Sequence, residues 1–208
     1  VHIKLNQAEE FWNQRYNTQE FIFGKEPNHY LKQKTELYLI NKSKILCVAD
    51  GEGRNSVWLA KQGHDVEAFD VSSIAIEKAK QLSSQHQVHV QYIHADCDTF
   101  DWKTEEYDAI AVIFIQFAEP ELRKRLFQNI YRSLKLGGLL ILQGYTPKQL
   151  DYKTGGPSDL SLLYTEELMR ELLNEMEILE MQSYEQELQE GSRHSGMSAL
   201  IGLVAKKH

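Results

Sequence analysis

The sequence predicts an α/β fold in which a mostly parallel sheet carries helices on both faces. Three observations lead there. From Lys44 onward, short apolar segments alternate with amphipathic ones, the order that βαβ units require. The first apolar segment runs straight into Asp50-Gly-Glu-Gly-Arg-Asn55, a glycine turn with a helix-patterned segment directly behind it. The next apolar segment ends on an acidic residue, Asp70. In a doubly wound sheet this order brings backbone N–H groups, a helix N-terminus and a carboxylate to the carboxyl ends of neighbouring strands, where such folds bind ligands.

Residues 1–43 are expected to form a helical cap. Ala8 to Tyr16 sets Phe11, Trp12 and Tyr16 at amphipathic spacing, and after a loop with Gly24 and Pro27 helical periodicity resumes over Asn28–Leu39. Ile45–Ala49 is the first strand, and Arg54–Gln62 a helix that Gly63 ends at its C-terminal cap. Val66–Asp70 is the second strand, after which Ser72 or Ser73 caps a helix to about Ser84. Val88–His94 and Ala109–Phe114 are strands three and four. Pro120–Leu134 is a helix closed by Lys135-Leu-Gly-Gly138, and Leu139–Gly144 is strand five. Thr165 caps a helix to about Asn174. Glu177–Leu188 and Met197–Ala205 are strands joined by the turn-rich Glu190-Gly-Ser-Arg-His-Ser-Gly196, a hairpin, so at least one of them runs antiparallel to the rest. With no linker or repeat in view, 1–208 is expected to be one domain, 1–43 the cap and 44–208 a Rossmann-like core.

Composition narrows the function classes. A 208-residue chain with 42% apolar residues can bury a full core. A net charge of −7 weighs against a general phosphate-backbone binder, and Arg123, Lys124 and Arg125 read as a solvated helix face. No apolar run nears the roughly 20 residues that span a bilayer, and no secretory leader is visible. Cys47 and Cys97 form no CxxC pair, so the expected compartment is the reducing cytoplasm. His86, His89 and His94 suggest a metal, but His89 and His94, five apart on a strand, point to opposite faces. No ligand completes a set, so no metal site is expected. Neither nucleic acid nor membrane is expected as a partner.

Four segments resemble a known family. Phe11-Trp-Asn-Gln-Arg-Tyr16 with Phe23-Gly-Lys-Glu-Pro-Asn28, the loop Ala49–Asn55, the strand end Ala68-Phe-Asp-Val-Ser72, and Leu134–Leu142 with Tyr145-Thr-Pro147 and Thr154-Gly-Gly-Pro157 occur in this order. Together they are similar to class I S-adenosylmethionine-dependent methyltransferases, closest to the small tellurite-resistance and thiopurine-type enzymes. The resemblance covers nearly the whole chain. It implies a seven-stranded sheet ordered 3-2-1-4-5-7-6 with strand seven antiparallel, S-adenosylmethionine as cofactor, and a small-molecule methyl acceptor such as a thiol, another soft nucleophile or a metalloid oxyanion. Two positions depart from the broad pattern: Cys47 stands where the family has an acidic residue, and Ala49 where it has glycine. Alanine takes a positive φ only at a cost.

The expected cofactor-binding residues follow segment by segment. Ala49, Asp50, Gly51 and Gly53 form the loop the cofactor approaches, and Asn55 contacts the methionine carboxylate. Asp70, followed by Val71, receives the ribose hydroxyls. Asp96 with Cys97 takes the adenine amino group, and Ile113 opens the segment to Phe117 that flanks the adenine and the methyl. Tyr16, with Phe23, folds over the sulfonium. Most have a plainer reading: a tight turn for the glycines, helix capping for Asp70 and Asp96, a first-turn hydrogen bond for Asn55 and packing for the aromatics. Outside this set, Cys47 is expected to be a core thiol and not a nucleophile, and His194, which could reach the substrate crevice, is expected to be a polar turn residue. No catalytic residue stands out, since methyl transfer asks chiefly for alignment. Two other functions compete. A nicotinamide-dependent oxidoreductase needs a third glycine where Ser56 stands, and a non-catalytic cofactor-binding module would need no acceptor at all.

Overall fold

The computed structural model describes residues 2–208. Two helices, α1 (His2–Tyr16) and α2 (His29–Tyr38), precede the sheet. Then follow β1 (Lys44–Val48), α3 (Arg54–Lys61), β2 (Asp65–Asp70), α4 (Ser73–Gln85), β3 (Gln91–His94), β4 (Tyr107–Ile113), α5 (Pro120–Ser133) and β5 (Leu134–Tyr145). The short α6 (Gln149–Tyr152), a 3-10 turn at Leu160–Leu162 and α7 (Glu166–Leu172) lead to the hairpin of β6 (Met176–Glu190) and β7 (His194–Lys207). The sheet order is β3-β2-β1-β4-β5-β7-β6, as the resemblance implied. β1 pairs in parallel with β2 and β4, and β7 lies antiparallel to both β5 and β6.

The apolar run of each central strand feeds both faces. Leu46 and Val48 of β1 pack with Phe69, Ile110, Val112 and Leu126 on one side, under α5 and α7. Ile45 and Cys47 pack with Leu31, Trp58, Leu59, Ala68 and Ala111 on the other, under α2 and α3. A strand buried on both faces is the reason these segments lack polar alternation. Helix starts are set by side-chain acceptors: Asn28 takes Leu31 N (3.0 Å), Ser72 takes Ala75 N (3.0 Å) and Thr165 takes Leu168 N (3.1 Å). Of the two serines offered as caps, Ser72 does the capping.

Four expectations need correction. β3 is shorter than Val88–His94, because Val88 N still bonds back to Ser83 O at the end of α4. Lys135–Gly138 does not close α5 as a free turn. Leu134 already pairs with Tyr107, and Leu139 pairs with Ala109, so the intervening residues form an irregularity inside β5. The hairpin turn is only 191–193, which carries Glu190 and His194 into paired strand positions. Arg123 is not solvated: it is buried, and its Nη1 donates to Ser161 O (2.8 Å), whereas Arg125 pairs with Asp98 in the open.

Gly53, the residue before α3, has φ +88° and sits against α4, where an added β-carbon would lie 2.7 Å from Ala79 Cβ. The glycine thus brings two helices together as well as turning the chain. Gly53→Ala is expected to cost about 2–4 kcal/mol from left-handed strain and overpacking, read as a fall in the urea midpoint. A loss under about 0.5 kcal/mol would mean that the helix contact gives way freely.

Candidate active site

β1 has β2 on one side and β4 on the other, so the chain reverses its winding direction there and a crevice opens beyond the carboxyl ends of the three strands. The loop after β1 begins at Ala49, which adopts φ +48°. The methyl group at this position is strained by about 1–2 kcal/mol relative to glycine. Asp50 turns back on the loop: its Oδ1 accepts from Ser56 N (3.3 Å) and its Oδ2 from the Ser56 hydroxyl. Ser56 Oγ also meets Tyr92 OH (3.1 Å). The serine that breaks the dinucleotide fingerprint therefore anchors the loop.

Asp70 ends β2 facing the same loop. Gly51 N donates to its Oδ2 (2.8 Å) and Ser72 N to its Oδ1 (2.8 Å). A carboxylate has about four lone-pair sites, so capacity for two more donors remains. Burial pushes Asp70 up to about 6, with the Ser72 and Gly51 N–H groups pulling the other way. Burial likewise raises Asp50 to about 7, Ser56 opposing and Asp70 adding to the effect. Two carboxylates held above their ordinary range form a site short of positive charge.

Tyr16 closes this half of the crevice. It is buried, and a β-carbon on Gly51 would lie 2.8 Å from its hydroxyl. It stacks on Trp12 (5.7 Å) and meets Phe23 edge-on (6.2 Å), and burial together with Asp70 raises its phenol. Lys78 of α4 latches the segment by donating to Tyr16 O (3.3 Å) and Glu20 O while pairing with Glu52 of the loop.

The remaining expected positions are less direct. Asn55 Oδ1 accepts from Asn28 N (2.8 Å), so it ties loop to cap and keeps only its amide group for a ligand. Val71 O meets His94 Nε2 (3.0 Å), which also reaches Glu9 of α1 (3.0 Å). Asp96 Oδ1 is engaged by Asp98 N, Thr99 N and the Thr99 hydroxyl, the plainer turn-capping role, and its other oxygen takes part in none of these bonds. Cys97 is buried, with its carbonyl bonded to Trp102 Nε1 (2.8 Å). Ile113 ends β4, paired with Gln143, and Phe114 after it takes φ +55°. Phe114 N donates to Gln143 O (2.9 Å). A bulky residue so placed stores about 1–3 kcal/mol of strain, of the kind that gathers at functional sites.

Several members of the site carried no sequence signal. Arg54, the first residue of α3, is buried and its Nη2 donates to Glu190 Oε2 (2.8 Å) on the hairpin. Glu190 also accepts from Asn28 Nδ2 (2.9 Å), which in turn reaches Gln143 Oε1 (2.7 Å) on β5. Burial opposes the charge on Glu190, yet His194 and Arg54 hold it down at about 2. Above this network the backbones of cap and hairpin touch. Arg193 N donates to Ile22 O (3.2 Å), and a β-carbon on Gly191 would collide with Ile22 O and Gly24 N. The crevice thus has a roof made from the cap and the hairpin. Arg54 Nη1 is buried without a partner among the described residues, an orphaned donor beside the glycine loop with capacity for an anionic group.

A carboxylate with free acceptor sites, a glycine loop, a second raised carboxylate and an orphaned guanidinium donor thus lie together at the carboxyl ends of β1 and β2. The comparisons with known proteins identify the family. A family described as a methyltransferase domain matches residues 45–138. The chain is 30% identical over 164 residues to the thiopurine S-methyltransferase of Pseudomonas fluorescens, covering 68% of this chain and 72% of that protein. It is 36% identical over 91 residues to the carboxy-S-adenosyl-L-methionine synthase of Hydrogenovibrio crunogenus, covering 40% of this chain but only 34% of that protein. TehB from Haemophilus influenzae superposes with a TM-score of 0.71 at 20% identity, covering 97% of this chain and 67% of TehB. The magnesium protoporphyrin IX methyltransferase of Synechocystis PCC 6803, solved with bound SAH, gives a TM-score of 0.73 at 14% identity over 98% of this chain and 99% of that one. The chain belongs to the class I S-adenosylmethionine-dependent methyltransferases, of the thiopurine methyltransferase type, and shares its fold with TehB. Its cofactor is S-adenosylmethionine.

Two stability outcomes follow from the geometry. Ala49→Gly should relieve the left-handed strain, offset in part by added freedom of the unfolded chain, for a net gain of about 0.5–1 kcal/mol in chemical denaturation. Glu190→Ala should cost about 3–5 kcal/mol, because it leaves Arg54 charged and unpaired in a buried setting. A cost below about 1 kcal/mol would show that the pair is solvated in solution.

Proposed function

We propose that this enzyme transfers the methyl group to a soft nucleophile, most simply a sulfur, on a small molecule. The observation that carries the reading is the roof. Contact between the 22–24 segment and the 191–193 turn covers the crevice and favours a compact acceptor over the extended strand of a polymer. Behind it Phe23, Phe114, Tyr145 and His194 pack into an aromatic cluster, a surface that favours a compact, polarisable or aromatic acceptor. The 30% identity to a thiopurine S-methyltransferase supports a sulfur acceptor, and the net charge of −7 weighs against nucleic acid.

The residue roles follow from position. Asp70 receives the ribose hydroxyls on its two remaining acceptor sites, with Val71 beside it. Gly51 and Gly53 let the backbone pass, and Ala49 and Asp50 line the loop. Asn55, through its amide, and Arg54, through Nη1, meet the carboxylate of the methionine tail. Asp96 and Cys97 receive the adenine edge, and Ile113 flanks the ring. Tyr16 presents its face to the sulfonium, an attraction of about 0.5–2 kcal/mol. The cofactor supplies the methyl on a sulfonium that is already a good leaving group. What the chain adds is alignment and exclusion of water, a contribution that reaches several kcal/mol and up to ~7–11 in favourable cases. The segment 1–43 acts as a cap on a single catalytic unit.

The raised carboxylates make the binding step pH-dependent in a definite direction. Asp50 near 7 and Asp70 near 6 are partly protonated in the free site. A cationic ligand favours their ionised forms, so binding releases protons and tightens as pH rises through that window. Below it, affinity falls by about tenfold per pH unit for each proton that must leave. Calorimetric titration with S-adenosylmethionine in buffers of different ionisation enthalpy reads this directly. Proton uptake, or affinity flat from pH 8 to 5, would refute the electrostatic reading. In the same titration Asp70→Ala should weaken binding of cofactor and demethylated product by at least about 1.5–3 kcal/mol, the worth of hydrogen bonds to a charged group. Methylation of a panel of small thiols, selenols and oxyanions then tests the acceptor, and products confined to oxygen or to polymers would overturn the sulfur reading.

A further inference from the structure

His194 is the first residue of β7, immediately past the turn that forms the roof. Its ring meets Phe23 of the cap at 4.6 Å, Phe114 beyond β4 at 4.5 Å and Tyr145 at the end of β5 at 5.5 Å. The imidazole therefore sits at the centre of an aromatic cluster that joins the cap, the end of β4 and the end of β5. It is 8% exposed, and its Nδ1 has no hydrogen-bond partner among the described residues. The nearest acidic atom is Glu190 Oε2 at 3.9 Å, beyond hydrogen-bond reach but close enough for attraction. Tyr145 OH is a second buried polar atom left without a partner. A core histidine held only for packing would be expected to satisfy its ring nitrogens. A base and its orienting carboxylate, by contrast, are often loosely spaced before substrate arrives and tighten around it.

We propose that His194 accepts the proton of the methyl acceptor, with Glu190 as its positioning residue, so that the acceptor enters as a neutral thiol and not as a preformed anion. This rests on the sulfur-acceptor reading above. With Nδ1–H turned to Glu190, Nε2 is the basic nitrogen. The S–H bond breaks, its electron pair stays on the acceptor sulfur, and the proton resides on the imidazole. That sulfur bonds the methyl as the methyl–sulfonium bond breaks, and the electron pair of the broken bond leaves on the donor sulfur as a neutral thioether. The imidazolium faces Glu190 and gives the proton to water when the roof opens. The charged and titratable groups around the ring are Glu190 on β6, Arg54 on α3 and Tyr145 on β5, while the cap and the β4 end contribute only Phe23 and Phe114. Burial lowers the imidazole's affinity for a proton, Glu190 restores part of it and Arg54 opposes it, which leaves the ring uncharged and ready at neutral pH. Tyr145 is pushed upward by burial and by Glu190, so it stays a neutral phenol that can donate to the acceptor.

The test begins without turnover. Arylthiols of graded acidity are titrated into wild type and His194→Gln, each saturated with S-adenosylhomocysteine, and ionisation is followed by thiolate absorbance. In the wild type the bound thiol should ionise at a pH lower than in water by about one unit or more, through a thiolate–imidazolium pair. His194→Gln should abolish that shift while keeping its affinity for S-adenosylhomocysteine. With S-adenosylmethionine, the variant should lose about 10²–10³-fold in kcat/KM on the least acidic thiols and under about tenfold on those already ionised, the range general-base catalysis supplies. A loss equal across the series, or identical thiol ionisation in both proteins, overturns the assignment. If the wild type methylates no thiol at all, the sulfur-acceptor reading itself has failed. Should His194→Gln fail to bind S-adenosylhomocysteine, the wild-type pH profile decides. A base makes kcat/KM for a weakly acidic thiol level off above the imidazole's own titration. Reliance on free thiolate makes it climb by about tenfold per pH unit to the thiol's own pKa.

Discussion

The Arg54–Glu190 pair holds the active site together, because each partner belongs to a different part of the fold. Arg54 starts the helix behind the glycine loop, and Glu190 ends the strand at the sheet's edge. Asn28 joins the same carboxylate from the cap and passes the connection to Gln143 on β5. Loop, cap, central strand and hairpin thus share one buried polar node. Burying such charges is costly, and the cost is recovered only when the geometry is complete. The node therefore specifies one relative placement of four elements that hydrophobic packing alone would leave freer.

Around that node the energetics oppose one another in a functional way. The sheet and its two apolar faces supply the stability. The crevice consumes some of it through Ala49 and Phe114 in left-handed conformations, Asp50 and Asp70 held above their ordinary range, and polar atoms left unpartnered at Arg54, Tyr145 and His194. Of these, the raised carboxylates and the unpartnered polar atoms are features that a bound cationic nucleoside would relieve. Ligand binding is accordingly expected to stabilise the fold by more than its contacts with any single element suggest.

The fold was legible because its signals are local and repeated: apolar runs of strand length, amphipathic segments between them, caps at Asn28, Ser72 and Thr165. Boundaries slipped where a tertiary partner decided the outcome. Val88 stayed with α4 instead of joining β3, and Leu134 left α5 to pair with Tyr107. At the site, Asp70 and Gly51 were visible from the strand–turn–helix order, and the structure places them within a hydrogen bond of each other. Gly53 came with a second reason, its contact with Ala79. The roof was not legible. Arg54 and Glu190 are 136 residues apart, and no spacing along the chain ties them together. One signal pointed that way, the stretch Glu190–Gly196, where a carboxylate, an arginine and a histidine crowd a turn too short to solvate all of them.

The contact between the 22–24 segment and the 191–193 turn has a consequence for biosynthesis. The glycine loop leaves the ribosome long before Glu190 does, at elongation rates of about 5–20 residues per second. During that interval Arg54 has no counter-ion and the 22–24 segment lacks its contact with the hairpin. A cofactor captured then would sit in an unroofed crevice, open to water and to bystander nucleophiles. Because the hairpin completes both the lid and the charge balance, methyl-transfer competence arrives in one late step rather than accumulating as the sheet assembles.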